Sequence, residues 1–283
     1  MDVSRLEGRH VAITGAGSGI GRATALAFAR RGGSLELCDL SRDRLEAVER
    51  DALRLGAGAV HTATVDVASA EQMERWAADV HARVGALDVL VNNAGVAIGG
   101  GFLDTSLEDW AWILGINTRG VVHGCHFFLP PMVAGGRGGH VVNVASAAGL
   151  AASEVLSAYS TTKFSVVGLS EALRLELEPH RIGVTCVCPG FVNTPITRAT
   201  RLVGPIDSKD ARAEIVRTYE KRNYGPERVA DGILRAIEKD KPLAVITPEA
   251  YALYYLKRFA PGVLRWASRR LGVTMRERLG LPG

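Results

Sequence analysis

Short apolar runs alternate along this chain with longer stretches whose apolar positions recur at helical spacing. Residues 10–14 are apolar and bounded by glycine, which predicts a strand, and the alanine-rich stretch 21–31 predicts the helix that follows. Strands are expected next over 34–39, 59–66 and 87–92, with helices over 42–55 and 71–84 between them. Further strands are expected at 140–145, 183–188 and 243–246, separated by long helical patterns. This rhythm predicts an α/β fold: one doubly wound parallel sheet with helices on both faces. Two regions depart from it. Residues 191–221 are polar, contain Pro195, Pro205 and a mixed charge run over 207–217, and follow the sixth strand, at the sheet edge where such folds take ligands. Residues 248–283 form a tail in which Tyr251, Tyr254, Tyr255, Phe259 and Trp266 stand among basic side chains, with Pro261-Gly262 breaking it into two helical pieces. With no internal repeat and no low-complexity linker, the expected organisation is one domain over 1–247, including a substrate loop at about 191–221, and a helical extension over 248–283.

Composition narrows the class. At 283 residues with 47% hydrophobic and 23% charged side chains, a core of ordinary size is available. Cys38, Cys125, Cys186 and Cys188 form no disulfide framework, which fits a reducing compartment and a cytoplasmic location. Residues 1–10 are charged rather than signal-like, and no run is apolar enough to span a bilayer. The net charge of +4 is uneven: residues 257–278 hold seven basic side chains and one acid, Glu277, which leaves the remainder at −2. A positive balance confined to the tail argues against a nucleic-acid partner.

The first strand–helix turn reads Thr14-Gly15-Ala16-Gly17-Ser18-Gly19-Ile20-Gly21. Glycines let the backbone bend and approach a ligand closely, and a helix amino end offers unpaired N–H groups and partial positive charge to a pyrophosphate. The turn therefore fits a dinucleotide, with Gly15, Gly17, Ser18, Gly19, Ile20 and Gly21 as its contacts; an ordinary tight turn is the plainer alternative. Asp39 ends the second strand, 18 residues past Gly21. A carboxylate there accepts from adenosine ribose hydroxyls and repels a 2′-phosphate, which favours NAD over NADP. Arg42 and Arg44 are read as the solvated first turn of the next helix. Asp66, with Val67 after it, either caps its turn or contacts the adenine region.

Tyr159 and Lys163, four residues apart, share one helix face. A tyrosine with a pKa near 10 is a poor base at neutral pH, and bringing it to about 7 takes on the order of 4 kcal/mol. The expectation is that Lys163 and an oxidised nicotinamide, both positive, share that load. Tyr159 then takes the hydroxyl proton of an alcohol, or returns one to a carbonyl. Ser146, just past the fifth strand, is placed to hold the substrate oxygen.

These pieces run in a recognisable order: the turn at 14–21, Asn92-Asn93-Ala94-Gly95, Asn117, Ser146, Tyr159 with Lys163, and Pro189-Gly190. Over residues 6–195 the chain resembles the short-chain dehydrogenase/reductase family. The resemblance implies a Rossmann-like sheet of about seven strands and a dimer or tetramer through two long central helices. It implies that Lys163 also binds the nicotinamide ribose, and that Asn117 bends a helix and holds a water linking the lysine to solvent. It places Asn93, Ala94 and Gly95 beside the cofactor, and Pro189, Gly190, Val192 and Thr194 around the nicotinamide.

Val96, Leu156 and Phe191, with Ser146 and Tyr159, are the expected substrate contacts, and their mostly apolar surroundings suggest a lipophilic secondary alcohol or ketone. Glu154 is the exception, expected to face solvent. The alternatives are an NADPH-dependent 3-oxoacyl reductase and, in another class, a non-catalytic NAD-binding scaffold or redox sensor. His123 and His126 lack a third ligand, so no metal is expected, and no Gly-x-Ser-x-Gly elbow supports hydrolysis. The tail is expected to pack on a partner subunit or over the substrate cleft, with peripheral contact to an anionic membrane as the sharper possibility.

Overall fold

The structure, a computed structural model, describes residues 6–279, with side chains as far as 270. Leu271 and the basic residues beyond it lie outside the described side chains. Seven strands form one parallel sheet: β1 (His10–Thr14), β2 (Ser34–Asp39), β3 (Ala59–Thr64), β4 (Val89–Asn92), β6 (Gly139–Val144), β7 (Ile182–Cys188) and β9 (Leu243–Val245), in spatial order β3-β2-β1-β4-β6-β7-β9. A second, two-residue pairing joins β5 (Ile98–Gly99) to β8 (Arg201–Leu202). The inner strands β1, β4 and β6 are mostly apolar and buried because helices cover both of their faces.

One face carries α1 (Gly19–Ala29), α2 (Arg42–Arg54) and α9 (Pro226–Glu238), whose side chains close over Phe28, Leu35 and Leu37. The other carries α3 (Ala70–Val84), α5 (Gly120–Ala134) and α6 (Ser157–Leu177), around Trp76, Phe128 and Met132. Trp76 meets Phe128 edge to face at 5.1 Å. Ser41 and Ser69 cap α2 and α3 by accepting from the backbone three residues on. Chain order reverses between β1 and β4, so the carboxyl ends of these strands open a crevice.

The expected rhythm is present, with local differences. The first helix begins at Gly19 rather than 21. The third strand stops at Thr64 rather than 66, because Asp66 Oδ1 accepts from the Ala68 N–H and turns the chain into the Ser69 cap. α4 (Leu107–Leu114) runs into α5 through one wide π turn, Gly115–Arg119. The polar stretch after β7 holds α7 (Ile196–Ala199), β8 and α8 (Lys209–Arg222). The tail is α10 (Pro248–Phe259) and α11 (Pro261–Leu279), broken at Ala260 as the Pro-Gly pair predicts. α10 lays Ala250, Leu253 and Tyr254 on the core and turns Tyr251, Tyr255 and Phe259 outward. Among the described residues, no helix is long and apolar enough to cross a membrane.

Candidate active site

The glycine turn is fixed from both sides. Thr14 Oγ1 accepts from the Asn93 and Ala94 N–H groups, each at 3.0 Å, and Asn93 Nδ2 donates to the carbonyls of Thr14 and Gly15 at 2.9 and 3.1 Å. A Cβ on Gly21 would overlap the Gly15 carbonyl oxygen, so only glycine lets α1 start this close to the strand end. Ser18 stands at the N-cap of α1 with no side-chain cap bond. The first amides of the helix therefore keep their capacity for an anion, which fits a pyrophosphate. Thr194 lies against Gly19 from the far side.

Asp39 is buried beside this turn. Its Oδ2 accepts from the Gly17 N–H at 3.0 Å, and its Oδ1 from the Ser41 N–H at 3.0 Å and from Arg44 at 3.1 Å. Arg44 is therefore the partner of Asp39 and not merely a solvated first-turn residue, whereas Arg42 pairs with Glu46 on the exposed face. Asp66 serves its own turn. Val67 packs under Gly120, and its carbonyl is bonded to His123 Nδ1 at 2.8 Å, which ties that ring to the backbone.

Tyr159 and Lys163 occupy the first turns of α6, facing the end of β6. The Tyr159 phenol stands beside Ser146, whose Oγ accepts from the Ala148 N–H at 3.1 Å. Lys163 is 4% exposed and donates to the Val144 carbonyl at 3.0 Å, with its Nζ 5.7 Å from the Tyr159 ring centroid. Asn117 sits in the π turn, fully buried; its Oδ1 accepts from Val96 N–H at 2.8 Å, and its Nδ2 donates to Val96 O at 2.9 Å and Thr162 Oγ1 at 3.0 Å. A Cβ on Gly95 would stand 3.3 Å from Asn117 Oδ1 and 3.5 Å from Lys163 Nζ, so the bare backbone there lets the two approach each other.

The electrostatics differ from the expectation in one respect. Burial raises the Tyr159 phenol above its ordinary value; the Ser146 hydrogen bond works against that rise and Cys188 adds to it. Lys163 donates one N–H to a carbonyl, and burial lowers it to about 8. The protein alone thus does not bring the phenol down.

Val96 packs with Ile98, Ile113, Ala158, Tyr159 and Val203 in a separate apolar cluster beside the hydroxyls. Leu156 bridges to Gly100 at the head of α6, and Glu154 is exposed. After β7, Pro189 O accepts from Ala147 N–H at 2.8 Å, joining this turn to that of Ser146, and Val192 is buried in the core. Phe191 is half-exposed and meets Tyr219 edge to face at 5.2 Å. Sequence reading missed Tyr219. Burial pushes its phenol up to about 12, and its neighbours Tyr159 and Glu249 add to the rise. It is the one aromatic of a helix dominated by charged residues, a signal that pattern reading discards.

The glycine turn beside Asp39 and the Ser146, Tyr159 and Lys163 cluster at the end of β6 lie together at the carboxyl ends of the central strands. The short chain dehydrogenase family profile matches residues 9–202, and the chain belongs to the short-chain dehydrogenase/reductase family. It is 41% identical over 265 residues to the probable oxidoreductase EphD of Mycobacterium tuberculosis, covering 92% of this chain and 44% of that protein. The chain thus spans less than half the length of that relative. It is 36% identical over 260 residues to the putative oxidoreductase SadH of the same organism, covering 90% of this chain and 92% of SadH. A short-chain dehydrogenase/reductase from Burkholderia phymatum, solved in complex with NAD, superposes with a TM-score of 0.84 at 31% identity, covering 92% of this chain and 96% of that one.

The Lys163 environment predicts a pH signature. The folded chain releases that proton near 8, while the unfolded chain keeps it to its ordinary 10.5. Between those values the unfolded state binds more protons, so stability rises with pH. Urea unfolding across this window should show the wild type gaining about 3 kcal/mol relative to Lys163→Met. Parallel profiles would contradict the burial of a charged lysine.

Proposed function

We propose that the chain transfers a hydride between NAD and a lipophilic secondary alcohol or ketone, with Tyr159 as the acid–base group. The observation that carries this reading is that Tyr159 stands beside Ser146 and packs with Val96 on one apolar cluster, with Lys163 buried alongside. Ser146 holds the substrate oxygen, and Tyr159 exchanges the proton of that oxygen. Lys163 orients the cofactor ribose, and Asn117 keeps Val96 and the first turns of α6 in register through Thr162. Bound in its oxidised form, the nicotinamide supplies the hydride acceptor and a positive charge. In this assignment the glycine turn, Asp39, Asp66, Val67, Asn93, Ala94, Gly95, Pro189, Gly190, Val192 and Thr194 surround the cofactor, and Leu156 and Phe191 border the substrate.

Residues 1–247 serve as the catalytic unit, with 248–283 as an extension. The exposed Val122 on α5 and Leu175 on α6 support assembly of two or four copies through those helices. The outward face of the tail supports a second contact. Tyr251, Tyr255 and Phe259 stack in a row at 6.4 and 6.1 Å, and Phe259 and Trp266 are 74% and 60% exposed. Residues 250–276 contain no acid and include Lys257, Arg258, Arg265, Arg269 and Arg270. A second copy meeting this face about a two-fold axis would set basic residues against basic residues. An anionic lipid surface satisfies both the charge and the aromatic row.

Absorbance of reduced nicotinamide should appear when the protein meets NAD⁺ and bulky apolar secondary alcohols, and much less with NADP⁺. Tyr159→Phe should lose turnover by at least about a hundredfold while keeping NAD⁺ affinity. NADP preference would refute the Asp39 assignment, and an active Tyr159→Phe would refute the mechanism.

For the tail, co-sedimentation with phosphatidylglycerol vesicles should exceed that with phosphatidylcholine vesicles and fall with added salt. It should also weaken in a Phe259→Glu, Trp266→Glu double variant. Negligible binding by both proteins, or salt-resistant self-association through this face, would dispose of the lipid contact.

A further inference from the structure

The first turn of α10 reaches back to both ends of the loop after β7. At the near end, Gly190 N–H donates to Thr247 Oγ1 at 3.1 Å and Phe191 N–H donates to Glu249 Oε1 at 2.9 Å. At the far end, Arg222, the last residue of α8, donates to Glu249 Oε2 at 3.1 Å. Between them, Asn193 N–H donates to the Tyr224 carbonyl at 2.9 Å, and the Tyr224 hydroxyl donates to Ile246 O at 3.2 Å. The two stems of a loop of some thirty residues therefore close on the four residues 246–249. Glu249 is the only side chain among these contacts that bonds both stems, one with each carboxylate oxygen.

The geometry favours an ionised carboxylate. Although partial burial works against it, Glu249 is held below the usual carboxylate range by its own backbone N–H in the first turn of α10, by Arg222, by the Phe191 N–H and by Thr247. What the clasp holds in place is the aromatic pair at the substrate mouth: Phe191, next to the bonded amide, and Tyr219, one helical turn before Arg222 and close to Tyr159. Besides Ala211, its one fully buried residue, and Tyr219 against Phe191, α8 is held by polar ties: Arg212 to the Arg198 and Thr200 carbonyls, and Glu220 to Arg198. A helix held mainly by polar ties opens more readily when the tie at its end is lost.

We propose that Glu249 is a positioning residue: through Phe191 N–H and Arg222 it latches the substrate loop, so that the C-terminal extension sets how tightly Phe191 and Tyr219 close over the substrate. This rests on the assignment of the loop after β7 as the substrate loop. It adds a control element from outside the segment matched to the family.

Hydrogen exchange on the intact chain, without cofactor or substrate, tests the latch directly. Glu249→Ala should speed exchange at the Phe191 amide and along the last turns of α8 by about tenfold or more, while the amides of β1 and β6 stay protected. Glu249→Gln keeps an acceptor for Phe191 but loses the ion pair, so it should release α8 and leave Phe191 slow. Arg222→Met should do the same from the other side. In turnover of an apolar alcohol, Glu249→Ala should raise KM several-fold with kcat little changed, and NAD⁺ affinity should hold. Unchanged α8 exchange in both Glu249→Gln and Arg222→Met overturns the latch, as does a uniform rise across the whole chain in all three variants. Should no alcohol be turned over, the exchange data still decide the latch, so the substrate assignment and the latch fail separately.

Discussion

Polar groups buried at the carboxyl ends of β1, β4 and β6 must find partners, and the arrangement of the site follows from how they do so. Thr14 takes the amides of Asn93 and Ala94, and Asn93 returns bonds to the Thr14 and Gly15 carbonyls. One residue beyond Gly95, Asn117 takes up both backbone groups of Val96 and passes the connection to Thr162. Lys163, next to Thr162, closes the circuit on the Val144 carbonyl at the end of β6. A second network lies below: Asn92 bonds Asn143, which bonds Ser170. Each link satisfies a group whose isolation would cost about 1–3 kcal/mol. The glycine turn and the tyrosine–lysine turn are therefore not independent motifs. Each is held in register with the other by backbone groups that have no alternative partner once the sheet is covered on both faces.

This economy has an electrostatic consequence. The same burial that orders the site opposes charge on both titrating groups: it raises the phenol and lowers the lysine. Lys163 has one N–H directed at Val144 and two left to face the site, and burial makes its charge costlier there than in water. Under the proposed reaction, the phenol stays protonated until a further positive charge arrives beside it.

Sequence reading succeeded where chemistry repeats at fixed spacing and failed where it depends on the path of a loop. The strand–helix alternation was legible because inner strands are mostly apolar and helices must bury one face. The cluster of Gly15–Gly21, Asp39, Asn93, Ser146, Tyr159 and Lys163 was legible from motif order. The π turn at Asn117 entered only through family resemblance, since nothing in residues 115–119 breaks helical pattern. β5, β8, Tyr219 and Glu249 were not legible at all. β5 and β8 are two residues long and defined by each other, and Tyr219 reads as one aromatic on a polar helix. Glu249 reads as an ordinary first-turn acid, and only the fold brings the amide of Phe191 and the guanidinium of Arg222 to its two oxygens.

Arg44 is the instructive case, because its sequence position suggested solvent and its place in the fold alters the meaning of Asp39. A carboxylate offers about four lone-pair sites. Gly17, Ser41 and Arg44 occupy three of those on Asp39. A ribose that presents both hydroxyls to this carboxylate has one site free, so the second bond requires Arg44 to yield. Arg44 is half-exposed and its pair with Asp39 is weakly bound by the standard of buried charges, so yielding is inexpensive. A 2′-phosphate faces the reverse problem. It would draw Arg44 away and then stand against a buried carboxylate stripped of its one cation. Under the proposed preference for NAD, cofactor choice at this turn would reside in the pair and not in Asp39 alone, with the arginine read from sequence as a solvated first-turn residue as the group that has to move.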